Sequence, residues 1–372
     1  MKIALFFTYG YSLKTWSDSG TLQKELSYYV ELNKEFGYKF KLFTYGDSSD
    51  LEIEINKAIF EVVPIYQRSR KINNKFISYI YSISIPFTIK NELDDVFLIK
   101  QNQLQGSWVT LILKFLTKKP LFTRTGYDVF KFSIHRKDAI LKRFFYYFLT
   151  QVTLIVSNVY SVTSKTERNF LKKYFLITKN IELLPNFIEK NSYPDILSRE
   201  LNKVLCVGRL EEQKNYPQII KSFVNSNFTI DIVGTGSERK TLEKLAEELN
   251  VNVNFLGQLE NKKLESLYEE YSFFISLSEF EGNPKSVLEA MSKGCIVFLS
   301  NIKNHVELIE NKKNGFIVCS NFDVIEKINS LSNNKKEIRK ISSNASSSVF
   351  KNNLLNNLVS KENLLIENLM AN

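Results

Sequence analysis

Residues 276–294 read SLSEFEGNPKSVLEAMSKG. An apolar run over 273–277 leads into them, short and continuous enough for a buried strand. A polar turn over 278–283 follows, and Pro284 then suits the first position of a helix, where its missing N–H has no partner to lose. Val287, Leu288, Ala290 and Met291 give that helix an apolar face, and Lys293-Gly294 supply its stop. Glu281 stands in the turn and Glu289 inside the helix, eight positions apart.

A strand end, a glycine turn and a helix N-terminus make a ready anion site, because free N–H groups and the positive dipole end attract phosphate. Carboxylates beside such a site repel phosphate and are suited to accept hydrogen bonds from neutral hydroxyls. A ligand that carries both phosphates and hydroxyls is a nucleotide sugar. Taken alone, the two acids also fit a solvated loop and a surface helix. Glu-x7-Glu, with Gly282 after the first Glu and Leu288-Glu289-Ala290-Met291 around the second, resembles the donor site of retaining GT-B glycosyltransferases, in particular glycosyltransferase family 4.

Upstream, 203–208 reads as a strand ending in Gly208, followed by Arg209-Leu210-Glu211-Glu212-Gln213-Lys214-Asn215. This is similar to the family's Gly-Arg-Leu…Lys-Gly/Asn pattern. Arg209 by forked hydrogen bonds and Lys214 as a point charge are able to neutralise a diphosphate and its growing charge as a leaving group. A strand over 228–233 leads to Gly234-Thr235-Gly236-Ser237-Glu238, which resembles the family's Gly-x-Gly-x-Glu turn and lacks the full GxGxxG of a dehydrogenase. Residues 253–257, VNFLG, resemble the strand whose end, at Leu256, contacts the base. The resemblance implies that Asn283, Lys285 and Ser286 present backbone N–H groups to sugar and phosphate, and that Glu289 holds the ribose hydroxyls.

The first half alternates strands (2–8, 40–43, 60–65, 96–99, 121–125, 160–163, 181–184) with helices (21–36, 76–86, 108–116, 164–175), the signature of parallel βαβ units. A further strand is expected over 153–157. Gly20, in WSDSGTLQKEL, stands where the family has a glycine-rich loop near the donor; Ser19 or Asp18 capping the next helix is the competing reading. Arg124, Tyr127 and Asp128 fall at a strand end, where the resemblance implies acceptor contacts. Aligned on Gly126, Thr125 takes the place of a family histidine. The chain's two histidines, His135 and His305, sit in no motif and read as structural or exposed.

At 372 residues with 44% hydrophobic composition, the chain fits two domains. The expected boundaries are 1–190, 200–345 and a tail helix over 346–372 that packs back on the first domain, with 189–201 as linker. The fold class is α/β: GT-B, two Rossmann-like doubly wound domains facing a cleft. Cys206, Cys295 and Cys319 lie in apolar runs without a CxxC pair, which points to reduced core thiols and a cytoplasmic protein. No apolar run is long enough for a signal peptide or a membrane span.

Charge is uneven. Residues 1–185 hold 27 Lys and Arg against 16 Asp and Glu, and the remainder 23 against 24. The stretch 131–148, KFSIHRKDAILKRFFYYF, interleaves basic and aromatic residues, as a helix lying on an anionic membrane does; a core-facing aromatic stripe with a solvated basic face is the alternative. No recognition module surrounds it, which argues against nucleic acid.

The expected activity is transfer of a hexosyl group from a UDP- or GDP-sugar to a glycan or lipid-linked glycan, with Glu281, Arg209 and Lys214 at the reacting centre. The place of action is the cytoplasm, peripherally at the inner face of the membrane. No Asp-x-Asp occurs, and two cations already face the diphosphate, so no divalent metal and no other cofactor is expected. A sugar-nucleotide epimerase of the same fold and a catalytically silent membrane scaffold are the rivals.

Overall fold

A computed structural model describes residues 1–178, 181–189, 195–319 and 321–371. Five of the residues expected to link the domains, 190–194, lie outside this set. The chain divides into one unit of Met1–Pro185 with Leu358–Asn372 and a second of Asn186–Asn357. The expected break at 345/346 therefore lies inside a helix, Lys335–Asn353, and the tail joins the first unit only from Leu358.

The first unit holds seven strands: β1 Lys2–Phe6, β2 Lys39–Thr44, β3 Phe60–Pro64, β4 Leu98–Asn102, β5 Leu121–Thr125, β6 Val159–Val162 and β7 Ile181–Leu183. They form one sheet in the order β3-β2-β1-β4-β5-β6-β7, with every pairing parallel. The second unit repeats the plan with β8 Glu200–Val207, β9 Thr229–Val233, β10 Asn252–Gly257, β11 Tyr271–Ser276, β12 Ile296–Ser300 and β13 Phe316–Val318. Their order is β10-β9-β8-β11-β12-β13, again all parallel. In each sheet the strand order reverses once, between β1 and β4 and between β8 and β11, and such reversals open crevices at the strands' C-terminal ends. This is the GT-B plan of two doubly wound sheets.

Strands buried on both faces need apolar residues at successive positions. In β8 and β11, Val204, Cys206, Phe273 and Ile275 enter one core, while Leu205 and Phe274 enter the core on the opposite face with Val287, Leu288 and Met291. Each of these side chains contributes about 2 kcal/mol by leaving water.

The tail is tied to the first sheet through buried polar groups. Lys100 on β4 pairs with Glu362, both side chains being fully buried. Tyr28 donates to the other Glu362 oxygen at 2.9 Å, and Tyr38 donates to Asn363 at 2.8 Å.

Several expectations are corrected. Between β1 and Gly20, where no helix was expected, the chain forms Leu13–Asp18, opened by a Ser12–Thr15 capping box. The next helix, Leu22–Phe36, is headed by Thr21, which makes no side-chain cap bond, so neither Ser19 nor Asp18 caps it; Gly20 adopts φ +67°. The 76–86 helix is two, Lys75–Tyr81 and Ile85–Ile89, because Pro86 fits only the first turn of the second. The strand expected over 153–157 is absent. The helix Ile140–Val156 runs through it, and Thr153 returns its hydroxyl to the Leu149 carbonyl at 2.7 Å. The basic stretch 131–148 breaks at Lys137, φ +55°, between Val129–His135 and that helix. Cys319 is exposed, unlike buried Cys206 and Cys295. Among the described residues no helix is long and apolar enough to cross a membrane.

Candidate active site

The loops after β8 and β11 meet at the reversal of the second sheet. Leaving β8, the chain makes a 3-10 turn, Glu212–Lys214, and Asn215 takes the left-handed conformation at φ +52°. This turn is stapled to the loop after β11. Gln213 donates from its side chain to the Phe280 carbonyl at 2.7 Å, and its own carbonyl accepts from Glu279 N–H at 2.9 Å. Lys214 thereby lies 2.5 Å from a Glu281 carboxylate oxygen, with both side chains mostly buried. The two residues assigned by sequence to phosphate and to sugar are thus partners of each other.

The Glu281 loop is held from two further sides. Asn304 donates to the Gly282 carbonyl at 2.5 Å. Asn186 donates its N–H to the Asn283 side chain at 2.9 Å and its amide to the Asn283 carbonyl at 2.6 Å. Asn353 in turn donates to the Asn186 carbonyl at 2.8 Å. Asn283 is consequently buried, and its side chain is committed to the loop. Pro284 stands at the N-cap, one position earlier than expected, and the helix is Lys285–Ser292. The Lys285 and Ser286 amides open it, where helix geometry supplies no carbonyl a turn back. One turn and a half along, Glu289 accepts from the Tyr268 hydroxyl at 3.1 Å and is half-buried.

Three glycines allow close approach of the chain to itself. A Cβ on Gly234, at φ +143°, would lie 1.9 Å from the Gly208 carbonyl oxygen, and one on Gly236 would lie 2.3 Å from the Leu210 carbonyl oxygen. One on Gly208 would press on the Lys214 side chain at 3.1 Å. The first two therefore let the turn after β9 lie against the loop after β8, with Leu210 N–H donating to Thr235 at 2.9 Å. The first service of these glycines is to hold the loop that carries Arg209 and Lys214. Arg209 itself is exposed, and among the described residues its guanidinium has no ion-pair partner. Leu256, near the end of β10, is also exposed.

His305, which no motif singled out, lies under this site. Ser300 gives its hydroxyl proton to the Ser278 carbonyl at 2.6 Å, so its oxygen accepts from His305 Nδ1–H at 3.0 Å. Nε2 is left as a buried lone pair without a partner. Burial pushes the imidazole down to about 4, with Glu281 opposing and Lys214 assisting the shift. The ring is neutral beside the Lys214–Glu281 pair. The only signal for it was its place after β12.

The remaining predicted residues belong to the first unit. Arg124 stacks over the Tyr28 ring at 5.3 Å and donates to the Pro185 carbonyl at 3.3 Å. Tyr127 packs on Phe132 with ring centroids 4.7 Å apart. Asp128 lies inside the first unit. It is buried and caps the Val129–His135 helix by accepting from Lys131 N–H at 2.6 Å. Its own N–H donates to Glu167 at 2.8 Å. Gly20 stands between two helices of this unit. Among the described residues no group of three or more His, Cys, Asp or Glu side chains is placed to hold a metal ion.

Residues 188–348 match the family described as glycosyl transferases group 1. The chain is 28% identical over 196 residues, 50% of its length and 53% of the relative's, to a Campylobacter jejuni α-1,4-N-acetyl-D-galactosaminyltransferase named for a diNAcBac-PP-undecaprenol-linked acceptor. It is 31% identical over 182 residues, 46% of its length and 48% of the relative's, to the capsular polysaccharide biosynthesis glycosyltransferase CapH of Staphylococcus aureus. The chain thus spans about half the length of these curated relatives. Among solved structures, sucrose-phosphate synthase of Thermosynechococcus elongatus superposes with TM-score 0.82 at 18% identity, covering 100% of this chain and 99% of that one. Anabaena HepE in complex with UDP-glucose does so with TM-score 0.76 at 16% identity, covering 99% and 100%. At such identities the structures speak for the fold alone. The chain therefore carries a glycosyl transferases group 1 domain over residues 188–348 and has the GT-B fold.

Proposed function

We propose that the chain is a retaining glycosyltransferase. It moves a hexosyl group from a UDP- or GDP-sugar to a sugar hydroxyl of a glycan or lipid-linked glycan in surface polysaccharide synthesis, working in the cytoplasm at the inner face of the membrane. The observation that carries this reading is the Lys214–Glu281 pair, fixed at the reversal between β8 and β11, with a helix N-terminus after it and Arg209, which has no ion-pair partner among the described residues, on the same loop as Lys214. Relatives named for capsular polysaccharide and an undecaprenol-linked glycan support the acceptor class. A protein that shares the fold is solved in complex with UDP-glucose, a donor of the proposed class.

The diphosphate sits against Arg209, Lys214 and the Lys285 and Ser286 amides, where positive charge meets the charge that grows as the sugar–phosphate bond breaks. The C1–oxygen bond to the diphosphate breaks, and a C1–oxygen bond to the acceptor hydroxyl forms on the same face. The acceptor's proton passes to the leaving phosphate oxygen, so no separate side-chain base is needed. Glu281 holds a sugar hydroxyl and keeps Lys214 aimed, and Glu289 holds the ribose. Two cations and the helix amides serve the diphosphate without a divalent metal.

A thermal-shift panel of UDP-, GDP- and ADP-sugars tests the donor. A ligand at about 100 times its Kd adds ~2.7 kcal/mol of stability, and no shift with any of them overturns the reading. Glu281→Gln is expected to lower turnover by about two to three orders of magnitude while circular dichroism stays unchanged. Unchanged turnover removes Glu281 from the mechanism. Conversion of the nucleotide sugar without any acceptor would identify an epimerase instead.

A further inference from the structure

The helix Lys75–Tyr81 is built from apolar residues, yet buries none of them. Phe76 is 74% exposed, and Ile77 and Ile80 are also exposed. The first turns of Ile140–Val156 repeat the pattern, with Leu141 85% exposed and Ile140 and Phe144 beside it. Leaving six such side chains in water forgoes the favourable burial that each would gain.

The two segments are neighbours because both pack on Trp108. Its ring lies 5.7 Å from Tyr79 and 6.4 Å from Phe145, and its indole N–H donates to Ser82 at 2.9 Å. Basic groups surround both. Residues 70–90 carry Arg70, Lys71, Lys75 and Lys90 and no acid. Residues 131–143 carry five basic residues and the single acid Asp138, which Arg136 and Lys142 hold at 3.0 and 3.1 Å. The second unit has nothing similar. Among its described residues the exposed large hydrophobics are Val224, Leu256 and Val306, scattered over the chain.

We propose that these two segments form one composite surface that docks on an anionic phospholipid bilayer, with the apolar side chains entering the headgroup boundary and the basic rim facing lipid phosphates. Charge selects this occupant. A second copy of the same face would set basic rim against basic rim. Nucleic acid would match the charge but leave the aliphatic side chains uncovered. Neither helix spans a bilayer, so the attachment is interfacial. It deepens the acceptor side of the proposed function by bringing the first unit to the surface where a lipid-linked glycan resides.

The test is flotation of the full chain with vesicles of phosphatidylcholine alone or with phosphatidylglycerol added, for wild type, a Phe76→Glu/Ile80→Glu variant and a Leu141→Glu/Phe144→Glu variant. Wild type is expected to float with the anionic vesicles, and each variant to lose on the order of tenfold in partitioning. Wild type that stays in the aqueous layer overturns the proposal, as does a Phe76/Ile80 variant that floats like wild type. Self-association in sedimentation velocity that both variants abolish, without flotation, assigns the face to a second copy. The nucleotide-sugar thermal shift is read on the same samples and is expected to be equal in all three. A missing shift with intact flotation sinks the transferase reading and leaves the membrane surface standing; an intact shift without flotation does the reverse.

Discussion

The two units share one reversal of strand order and both bury charge, yet they differ in what they present to water. The second unit holds the mostly buried pair Lys214–Glu281 at its sheet's reversal and keeps most of its large apolar side chains inside. The first unit buries charge, in Lys100–Glu362 and in Asp128 with Glu167, and exposes apolar and basic residues together. A shared topology fixes where a crevice opens. What the loops and outer helices carry decides what each unit presents around that crevice.

The sharpest way to break this contrast is to remove a buried partner. Glu362→Ala leaves the Lys100 ammonium without its counter-charge in a fully buried setting, and about 3–5 kcal/mol of stability should go with it. Both tryptophans, Trp16 and Trp108, belong to the first unit. Tryptophan fluorescence therefore reports that unit, and its unfolding midpoint should fall while nucleotide-sugar binding in the other unit is retained. Lys100→Met added to Glu362→Ala should recover part of the loss.

The contrast also predicts opposite responses to pH. In the second unit His305 is held neutral, its pKa lowered from 6.5 to about 4 by burial. The stability it contributes is complete above about pH 6.5 and is lost as pH falls toward 4, up to about 3 kcal/mol. In the first unit, burial raises Asp128 to about 6, and burial together with the Asp128 charge raises Glu167 to about 8. Thr163 shares its hydroxyl proton between the Gly126 carbonyl at 2.8 Å and a Glu167 oxygen at 3.2 Å, which only partly offsets the rise at Glu167. Acids raised in this way stabilise the fold below their unfolded pKa, and the contribution is lost as pH rises through the folded one. Thermal unfolding at pH 5 and pH 8 should shift the fluorescence-detected transition down on the alkaline side. The circular-dichroism transition of the other unit should shift down on the acid side. Glu167→Gln should flatten the first slope and His305→Leu the second; parallel slopes in the two units would end the distinction.

The second unit was the more legible of the two in sequence. Its strands alternate with glycine turns, and Gly208, Gly234, Glu281 and Glu289 fall where a strand–turn–helix reading puts them. Their mutual contacts were not legible. The Asn186–Asn283 staple joins residues 97 apart, and Lys214–Glu281 residues 67 apart. Nothing local marks such pairs, because a loop acid pairs with whatever the fold brings to it. In the first unit, periodicity mistook 153–157 for a strand and gave no sign that residues 75–81 face water. An apolar pattern states that burial is favourable but not what does the burying, a core or a membrane.

The smallest expected effect concerns Arg209, and it separates two ways of holding a diphosphate. Lys214 is anchored by Glu281, whereas Arg209 is exposed and unpaired among the described residues. Arg209→Lys keeps the charge and removes only the planar fork. Stability should stay within about 0.5 kcal/mol, as for a surface substitution away from special features. Donor affinity by calorimetry should weaken by about tenfold, or ~1.4 kcal/mol, if two parallel hydrogen bonds to phosphate are replaced by one. Wild-type affinity in this variant would mean that the phosphate charge is met by Lys214 and the Lys285 and Ser286 amides, and that Arg209 acts only as a long-range charge. In that case the affinity gap between wild type and Arg209→Ala should shrink as salt is raised, since an unanchored exposed cation is screened while a forked contact is not.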